Sequence, residues 1–137
     1  MQKVFETALM IAAQAHKGQV DKNGMPYILH PIAVMQKVDG LELKTIAILH
    51  DTIEDTYVTE DFLLGVGIPK NIVDVVALLT KPQNESYENY LRRVKENPMA
   101  KAVKLADLAH NTSPERASGL NEARKKKYAL AKQILSE

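Results

Sequence analysis

Residues 46–56 read "IAILHDTIEDT", an apolar run followed directly by the ionisable residues His50, Asp51, Glu54 and Asp55. On one continuous helix, Glu54 lies four residues after His50, and Asp55 lies four residues after Asp51. All four side chains would then point into about the same sector. Carboxylates crowded beside a buried strip are costly unless a positive charge compensates them, and a divalent cation would do so. An exposed acidic patch at a helix end is the alternative interpretation of this motif.

The rest of the chain has the spacing of apolar residues that is typical of amphipathic helices. The predicted helices cover about residues 2–16, 31–38, 42–55, 59–67, 69–80, 86–97, 98–111 and 122–135. The β-branched residues of 69–80 leave a strand as an alternative there, but the length of the segment favours a helix. No segment alternates with a period of two. We therefore predict an all-α fold of seven or eight helices.

The composition limits the classes of protein to consider. The chain has 137 residues, enough for one domain over residues 1–137 with a core of its own. Its net charge of +1 argues against a nucleic-acid surface, and the absence of cysteine excludes disulfides, zinc–thiolate sites and thiol nucleophiles. Residues 1–19 are too polar for a signal sequence or a membrane span. The cytoplasm is the expected location, and no membrane partner is expected.

Three other segments place a candidate ligand beside a helix boundary or within an apolar strip. They are "PYILHPIAV" with His30, "VKLADLAHN" with Asp107 and "QAHKGQ" with His16. Together with His50 and Asp51, the residues His30 and Asp107 would offer two nitrogen and two oxygen donors. This mixture suits Mn²⁺, Fe²⁺ or Zn²⁺. Because a closed structural zinc site usually has thiolates and four filled positions, the mixed set indicates a catalytic metal site.

The four motifs "AHKGQ", "GMPYILHP", "ILHDTIEDT" and "VKLADLAHN" also occur in an order and at spacings that resemble a known family. They are similar to the hydrolase domain of the RelA/SpoT homologues, and most of all to the small alarmone hydrolases, within the HD superfamily of metal-dependent phosphohydrolases. The resemblance covers residues 3–116 and implies an HD-domain helical bundle. It implies hydrolysis of guanosine 3′,5′-bis(diphosphate), or ppGpp, and its pentaphosphate relative, with release of pyrophosphate from the 3′ position. Mn²⁺ is the implied metal, and we expect no room for a synthetase or regulatory domain.

The resemblance also implies roles for particular residues. The implied metal ligands are His30, His50, Asp51 and Asp107. The implied catalytic pair is Glu54 and Asp55, which act on the attacking water and the departing phosphate oxygen. Asn111 and Lys22 match residues that contact the nucleotide. Lys104 precedes Asp107 by three residues, so it either faces a substrate phosphate or is a surface lysine; His16 and His110 are interpreted as groups that orient their neighbours.

The sequence departs from the family pattern where cations are usual. Asp21 and Ser113 replace arginine, and Leu108 replaces a basic residue. Each lost phosphate contact would cost roughly 1.5–3 kcal/mol, so we expect weak activity on the alarmone. Asp21→Arg, alone or with Ser113→Arg, should then lower its KM selectively. The basic run 124–127 is interpreted as the solvated face of the last helix, with phosphate binding as the weaker alternative.

Two alternatives to alarmone hydrolysis therefore stay open. The first is the same catalytic apparatus acting on a less charged nucleotide. The second is a non-catalytic module that binds a nucleotide and regulates another activity. The presence of both Glu54 and Asp55 argues against the second, because binding alone does not need them. The sequence does not specify the oligomeric state.

Overall fold

The computed structural model describes all residues from Met1 to Glu137 and contains ten helical segments and no strand. The segments are α1 (Gln2–Ala15), α2 (Leu29–Gln36), α3 (Leu41–Leu49), α4 (Thr52–Asp55), α5 (Glu60–Gly65), α6 (Lys70–Leu78), α7 (Tyr87–Glu96), α8 (Pro98–Asn111), α9 (Pro114–Ala117) and α10 (Glu122–Ser136). Two of them, α4 and α9, have four residues each. The predicted all-α bundle is confirmed, and residues 70–78 are helical rather than extended. No helix combines the length and the apolar character that crossing a membrane requires.

Helix α3 lies at the centre of the bundle. Residues 45–49 are fully buried, and the helix contacts α1, α2, α6 and α8. Residues 45–49 have no charged side chain on any side, so this half of the helix has to be surrounded by other elements, which explains the position. Because His50 follows α3 directly, its imidazole is placed inside the protein.

The eighth helix, α8, starts at a well-defined cap. The Asn97 side chain accepts hydrogen bonds from the amides of Met99 and Ala100, and Pro98 occupies the first turn. Asparagine and proline are favoured at these two positions because they satisfy or remove amides that lack a partner. The cap fixes the start of a helix that crosses α2 and α3 and brings Asp107 beside His30.

The prediction of one continuous helix over residues 42–55 was wrong. Helix α3 ends at Leu49, the amide of His50 turns back to the carbonyl of Ala47, and α4 starts at Thr52. The Thr52 hydroxyl donates a hydrogen bond to the Leu49 carbonyl at 2.8 Å and stabilises this turn. The interruption leaves His50 buried and Asp51 half-buried, whereas Glu54 and Asp55 on α4 are exposed.

Candidate active site

Three buried side chains converge at the carboxyl end of α3: His30 from α2, Asp107 from α8 and His50, which directly follows α3. The ligand atoms of His30, His50 and Asp107 all lie within 4.8 Å of one another. Oδ1 of Asp107 lies 2.8 Å from Nε2 of His30 and 3.5 Å from Nε2 of His50. Two imidazoles and a carboxylate at these distances form a group that can hold a divalent cation.

The fourth predicted ligand, Asp51, lies beside this group. Its Oδ2 atom is 3.1 Å from Nε2 of His50 and 3.9 Å from Nε2 of His30. The hydroxyl of Tyr27 donates a hydrogen bond to the same oxygen. Burial and the Asp51 charge raise the pKa of Tyr27 well above its usual range, so the hydroxyl stays protonated and remains a donor. The sequence reasoning missed Tyr27, although it lies within the "GMPYILHP" motif.

The protonation of His50 shows that this cluster fits a metal ion. Nδ1 of His50 lies 2.6 Å from the carbonyl oxygen of Ala47. A carbonyl can only accept, so Nδ1 carries a proton, and the neutral ring presents a lone pair at Nε2. That nitrogen is buried, has no hydrogen-bond partner and faces the carboxylates of Asp51 and Asp107. A lone pair and two negatively charged carboxylates repel one another, and a cation bound between the three groups removes this repulsion.

The two carboxylates are held in the ionised form that metal binding requires. Burial by itself would raise the pKa of Asp107, but Lys104 and the two histidines hold that pKa well below its usual range. Burial likewise opposes ionisation of Asp51, and the charge and hydrogen bond of His50 outweigh it and lower the Asp51 pKa. Burial lowers the pKa of His50 less than these carboxylates raise it, so a proton and a metal ion compete for its Nε2 atom.

The predicted catalytic pair lies on α4, at the exposed side of the cluster. Oε1 of Glu54 accepts a hydrogen bond from the amide of Lys81 at 2.8 Å, which fixes the direction of the carboxylate. Partial burial, followed by the charges of Asp51 and Glu54, raises the pKa of Asp55 to about 6. A carboxyl group with this pKa can hold a proton near neutral pH and release it.

All these groups line one cavity of about 360 Å³. Five basic side chains line the same cavity: Lys81, Lys104, Arg116, Arg124 and Lys127. Lys104 pairs with Asp107, whereas the other four cations make no ion pair within 4.0 Å. Partial burial, together with Lys104 and Arg124, lowers the pKa of Lys127. The cavity therefore combines a metal-ligand cluster with uncompensated positive charge, an arrangement suited to an anionic ligand.

The three predicted substrate contacts have different surroundings. Asn111 lines the cavity and donates a hydrogen bond to Oδ1 of Asp107 at 3.1 Å. Nζ of Lys104 lies 3.0 Å from Oδ2 of Asp107, so Lys104 compensates a candidate metal ligand and is not a surface lysine. Lys22 is exposed and lines a smaller cavity of about 40 Å³, which shares four residues with the main one: Asn111, Arg116, Arg124 and Tyr128.

The positions that depart from the family pattern have structural roles. Leu108 is fully buried in the core. The Ser113 hydroxyl donates a hydrogen bond to the carbonyl of His110. Oδ1 of Asp21 accepts the amides of Asn23 and Met25, at 2.8 and 3.0 Å. Arginine at position 21 would remove both bonds, so a change in KM in that variant would not report phosphate contacts alone.

The prediction that the basic run 124–127 is the solvated face of the last helix has to be corrected. Arg124 and Lys127 line the main cavity, so the run is not only a solvated face. Nζ of Lys127 lies 4.6 Å from the ring centre of Tyr87, which lines the same cavity. The positions 124, 127 and 128 have the spacing of a single helix face, and this was the signal that the sequence contained. Cations from α9 and α10 thus bring positive charge to the cavity, whereas positions 21, 108 and 113 carry none.

Comparison with known proteins supports the resemblance carried by the motifs. No family model matches the chain. It is 37% identical to a guanosine-3′,5′-bis(diphosphate) 3′-pyrophosphohydrolase of Haemophilus influenzae, over 74% of this chain and 17% of that protein. It is 33% identical to the bifunctional (p)ppGpp synthase/hydrolase SpoT of Escherichia coli, over 80% of this chain and 18% of that protein. A GTP pyrophosphokinase of Myxococcus xanthus is 32% identical, over 79% of this chain and 16% of that protein.

The chain therefore spans less than a fifth of the length of these curated relatives. Among solved structures, it is similar to a metazoan ortholog of SpoT that hydrolyses ppGpp, with a TM-score of 0.76 and 24% identity. That similarity covers 96% of this chain and 83% of the other, and it shows a shared fold. Sequence and fold together confirm the resemblance: this chain is similar to the hydrolase domain of the RelA/SpoT homologues, and it shares the fold of the SpoT ortholog.

Proposed function

We propose that the chain is a single domain over residues 1–137 that hydrolyses guanosine 3′,5′-bis(diphosphate) and releases pyrophosphate. One observation carries the proposal: a single cavity joins the cluster of His30, His50 and Asp107 with three further carboxylates and with four cations that make no ion pair. The names of the relatives support the same substrate. We propose Mn²⁺ as the metal, with Fe²⁺ or Zn²⁺ as alternatives, and the cytoplasm as the location. A small nucleotide, rather than nucleic acid or a membrane, would be the partner.

Each carboxylate of the site has a proposed role. His30, His50, Asp51 and Asp107 would hold the cation, which when bound polarises a phosphoryl oxygen and lowers the pKa of water. In the proposed reaction the water oxygen bonds to the phosphorus attached to O3′, and the bond between that phosphorus and O3′ breaks. Glu54 takes the proton from the water. Asp55, which can hold a proton near neutral pH, gives one to the departing O3′.

The charge of the cavity wall supports a substrate with several phosphates. Arg116, Arg124 and Lys127 make no ion pair, and partial burial, followed by the charges of Lys104 and Arg124, lowers the pKa of Lys127. Positive groups crowded in this way are stabilised when a polyanion lies between them. A nucleotide that carries two diphosphates offers more negative oxygens to these groups than a mononucleotide does.

Removing one cationic side chain should therefore weaken the binding of the most highly charged substrate more than that of less charged ones. We expect Arg124→Ala or Lys127→Ala to raise KM for the bis(diphosphate) by about tenfold to hundredfold, because one charge-assisted phosphate contact is lost. KM for guanosine 5′-diphosphate, measured in the same assay, should rise less. Arg92→Ala is a matched control, since Arg92 pairs with Glu88 and Glu137 outside the cavity. Equal effects in Arg92→Ala and Arg124→Ala would contradict the proposed phosphate contact.

Metal binding should stabilise the fold measurably. At about 100 times its Kd, Mn²⁺ should add about 2.7 kcal/mol to the free energy of unfolding. For a chain of this length, that raises Tm by roughly 5–10 °C. The measurement is thermal unfolding of chelator-treated protein before and after Mn²⁺, Fe²⁺ or Zn²⁺ is added. If none of the three ions changed Tm, the proposed metal site would be wrong.

A substrate panel tests the function itself. Purified protein with Mn²⁺ would be given the bis(diphosphate), guanosine di- and monophosphates and a dinucleotide, with pyrophosphate and orthophosphate assayed separately. Pyrophosphate from the bis(diphosphate) is the expected result. Orthophosphate from less charged nucleotides would indicate the alternative enzyme, and nucleotide binding without turnover would indicate a regulatory module.

A further inference from the structure

Two buried histidines, His30 and His110, are joined through their ring nitrogens. Nδ1 of His30 lies 2.8 Å from Nδ1 of His110, and the rings are stacked with an interplanar angle of 22°. His30 is 3% exposed and His110 is 5% exposed, so water does not compete freely for these nitrogens. A hydrogen bond between two such nitrogens holds one proton, because one ring must donate and the other must accept.

Binding of a metal ion determines which of the two histidines donates this hydrogen bond. Nε2 of His30 lies 2.8 Å from Oδ1 of Asp107, and because an ionised carboxylate can only accept, this nitrogen carries a proton while no cation is bound. A cation that replaces this proton binds Nε2 through a lone pair. The proton of neutral His30 must then lie on Nδ1, and Nδ1 of His110 must accept it. Neutral His110 consequently carries its own proton on Nε2, and Oε1 of Glu115 lies 3.4 Å from that nitrogen.

His30 and His50 differ in how their protons are fixed. The partner of His50 is the backbone carbonyl of Ala47, which accepts in every protonation state. The partner of His30 is a side chain that can donate or accept. From this geometry we infer that His110 is a positioning residue, which accepts the Nδ1 proton of His30 and keeps the Nε2 lone pair of His30 directed at the metal. The inference rests on the metal site of the proposed function, but not on the identity of the substrate.

Variants of His110 test this role through metal affinity. His110→Leu removes the acceptor and should weaken Zn²⁺ binding by about 10–100-fold, the usual effect of losing a group that orients a ligand. His110→Asn can place its side-chain oxygen where Nδ1 lies and should keep an affinity close to that of the native protein. Zn²⁺ affinity would be measured by chelator competition, alongside thermal unfolding of each metal-free variant. A purely structural role would lower Tm in both variants without separating their affinities, and that result would overturn the inference.

Protonation in the native protein provides a second test that needs no variant. In ¹⁵N-labelled protein loaded with Zn²⁺, a diamagnetic ion, long-range ¹H–¹⁵N correlation should show His30 protonated at Nδ1 and His110 at Nε2. Protonation of His110 at Nδ1, or a native protein that does not bind Zn²⁺, would overturn the inference. Because neither test uses a nucleotide, a protein that binds Zn²⁺ as expected but hydrolyses no alarmone would contradict only the proposed function.

Discussion

Alanine in place of His50 should abolish both metal retention and turnover. The imidazole is buried, its proton is fixed on Nδ1 by the Ala47 carbonyl, and its Nε2 atom has no partner other than the proposed ion. Alanine would leave the carboxylates of Asp51 and Asp107 facing each other without that donor. Metal content by elemental analysis and the rate of nucleotide hydrolysis, measured on the same preparation, check this expectation.

Two further variants test whether metal loss is specific to the proposed ligands. Asp51→Ala should also lose metal and activity. However, Asp51 lies outside the group of three closest ligand atoms, so unchanged metal content would reduce the ligand set to His30, His50 and Asp107. His16→Ala is the control, because His16 is buried and bonded to Gln19 but does not belong to the cluster. It should lower stability and retain the metal. Full metal content in His50→Ala would contradict the proposed site.

Glu54→Gln should retain the metal and the fold and lower kcat by about 10²–10⁴-fold, the usual contribution of a general acid or base. The glutamine oxygen can still accept the Lys81 amide, so the side chain keeps its place, but it cannot take a proton from water. Steady-state kinetics and elemental analysis separate the two properties. Glu88→Gln, on the exposed face of α7, is the control and should be fully active.

A loss of metal in Glu54→Gln would change the role assigned to Glu54. If Glu54→Gln lost its metal and regained high specific activity when metal was restored, Glu54 would be a ligand and not a proton acceptor. The present assignment rests on its position, since Glu54 lies at the exposed side of the cluster and its carboxylate is bound by a backbone amide.

The sequence predicted most helices because burial and periodicity follow the same pattern along the chain. Helices α1, α7, α8 and α10 lie within about one or two residues of their predicted ranges, the usual uncertainty of helix ends. The break between Leu49 and Thr52 was not predicted. The break is a tightened turn, and no proline or glycine occurs in residues 49–52 to indicate it in the sequence.

Contacts between distant parts of the chain could not be predicted from local spacing. Tyr27 reaches Asp51 across 24 residues, and His110 reaches His30 across 80. The position of Arg124 and Lys127 in the cavity wall depends on how α10 packs on α7 and α8. The sequence motifs therefore predicted the candidate ligands. The groups around them, which orient the ligands and supply positive charge, became apparent only in the folded chain.

The central claim is that the protein breaks the bond between phosphorus and O3′ of guanosine 3′,5′-bis(diphosphate). The most direct measurement is ³¹P NMR of the products that the native protein forms with Mn²⁺ and this substrate in H₂¹⁸O, recorded after the paramagnetic Mn²⁺ has been removed. We predict pyrophosphate that carries one ¹⁸O atom, guanosine 5′-diphosphate without label in equal amount, and no reaction after the metal is chelated. Orthophosphate as the first product, label in the guanosine 5′-diphosphate, or undiminished turnover without metal would contradict the claim.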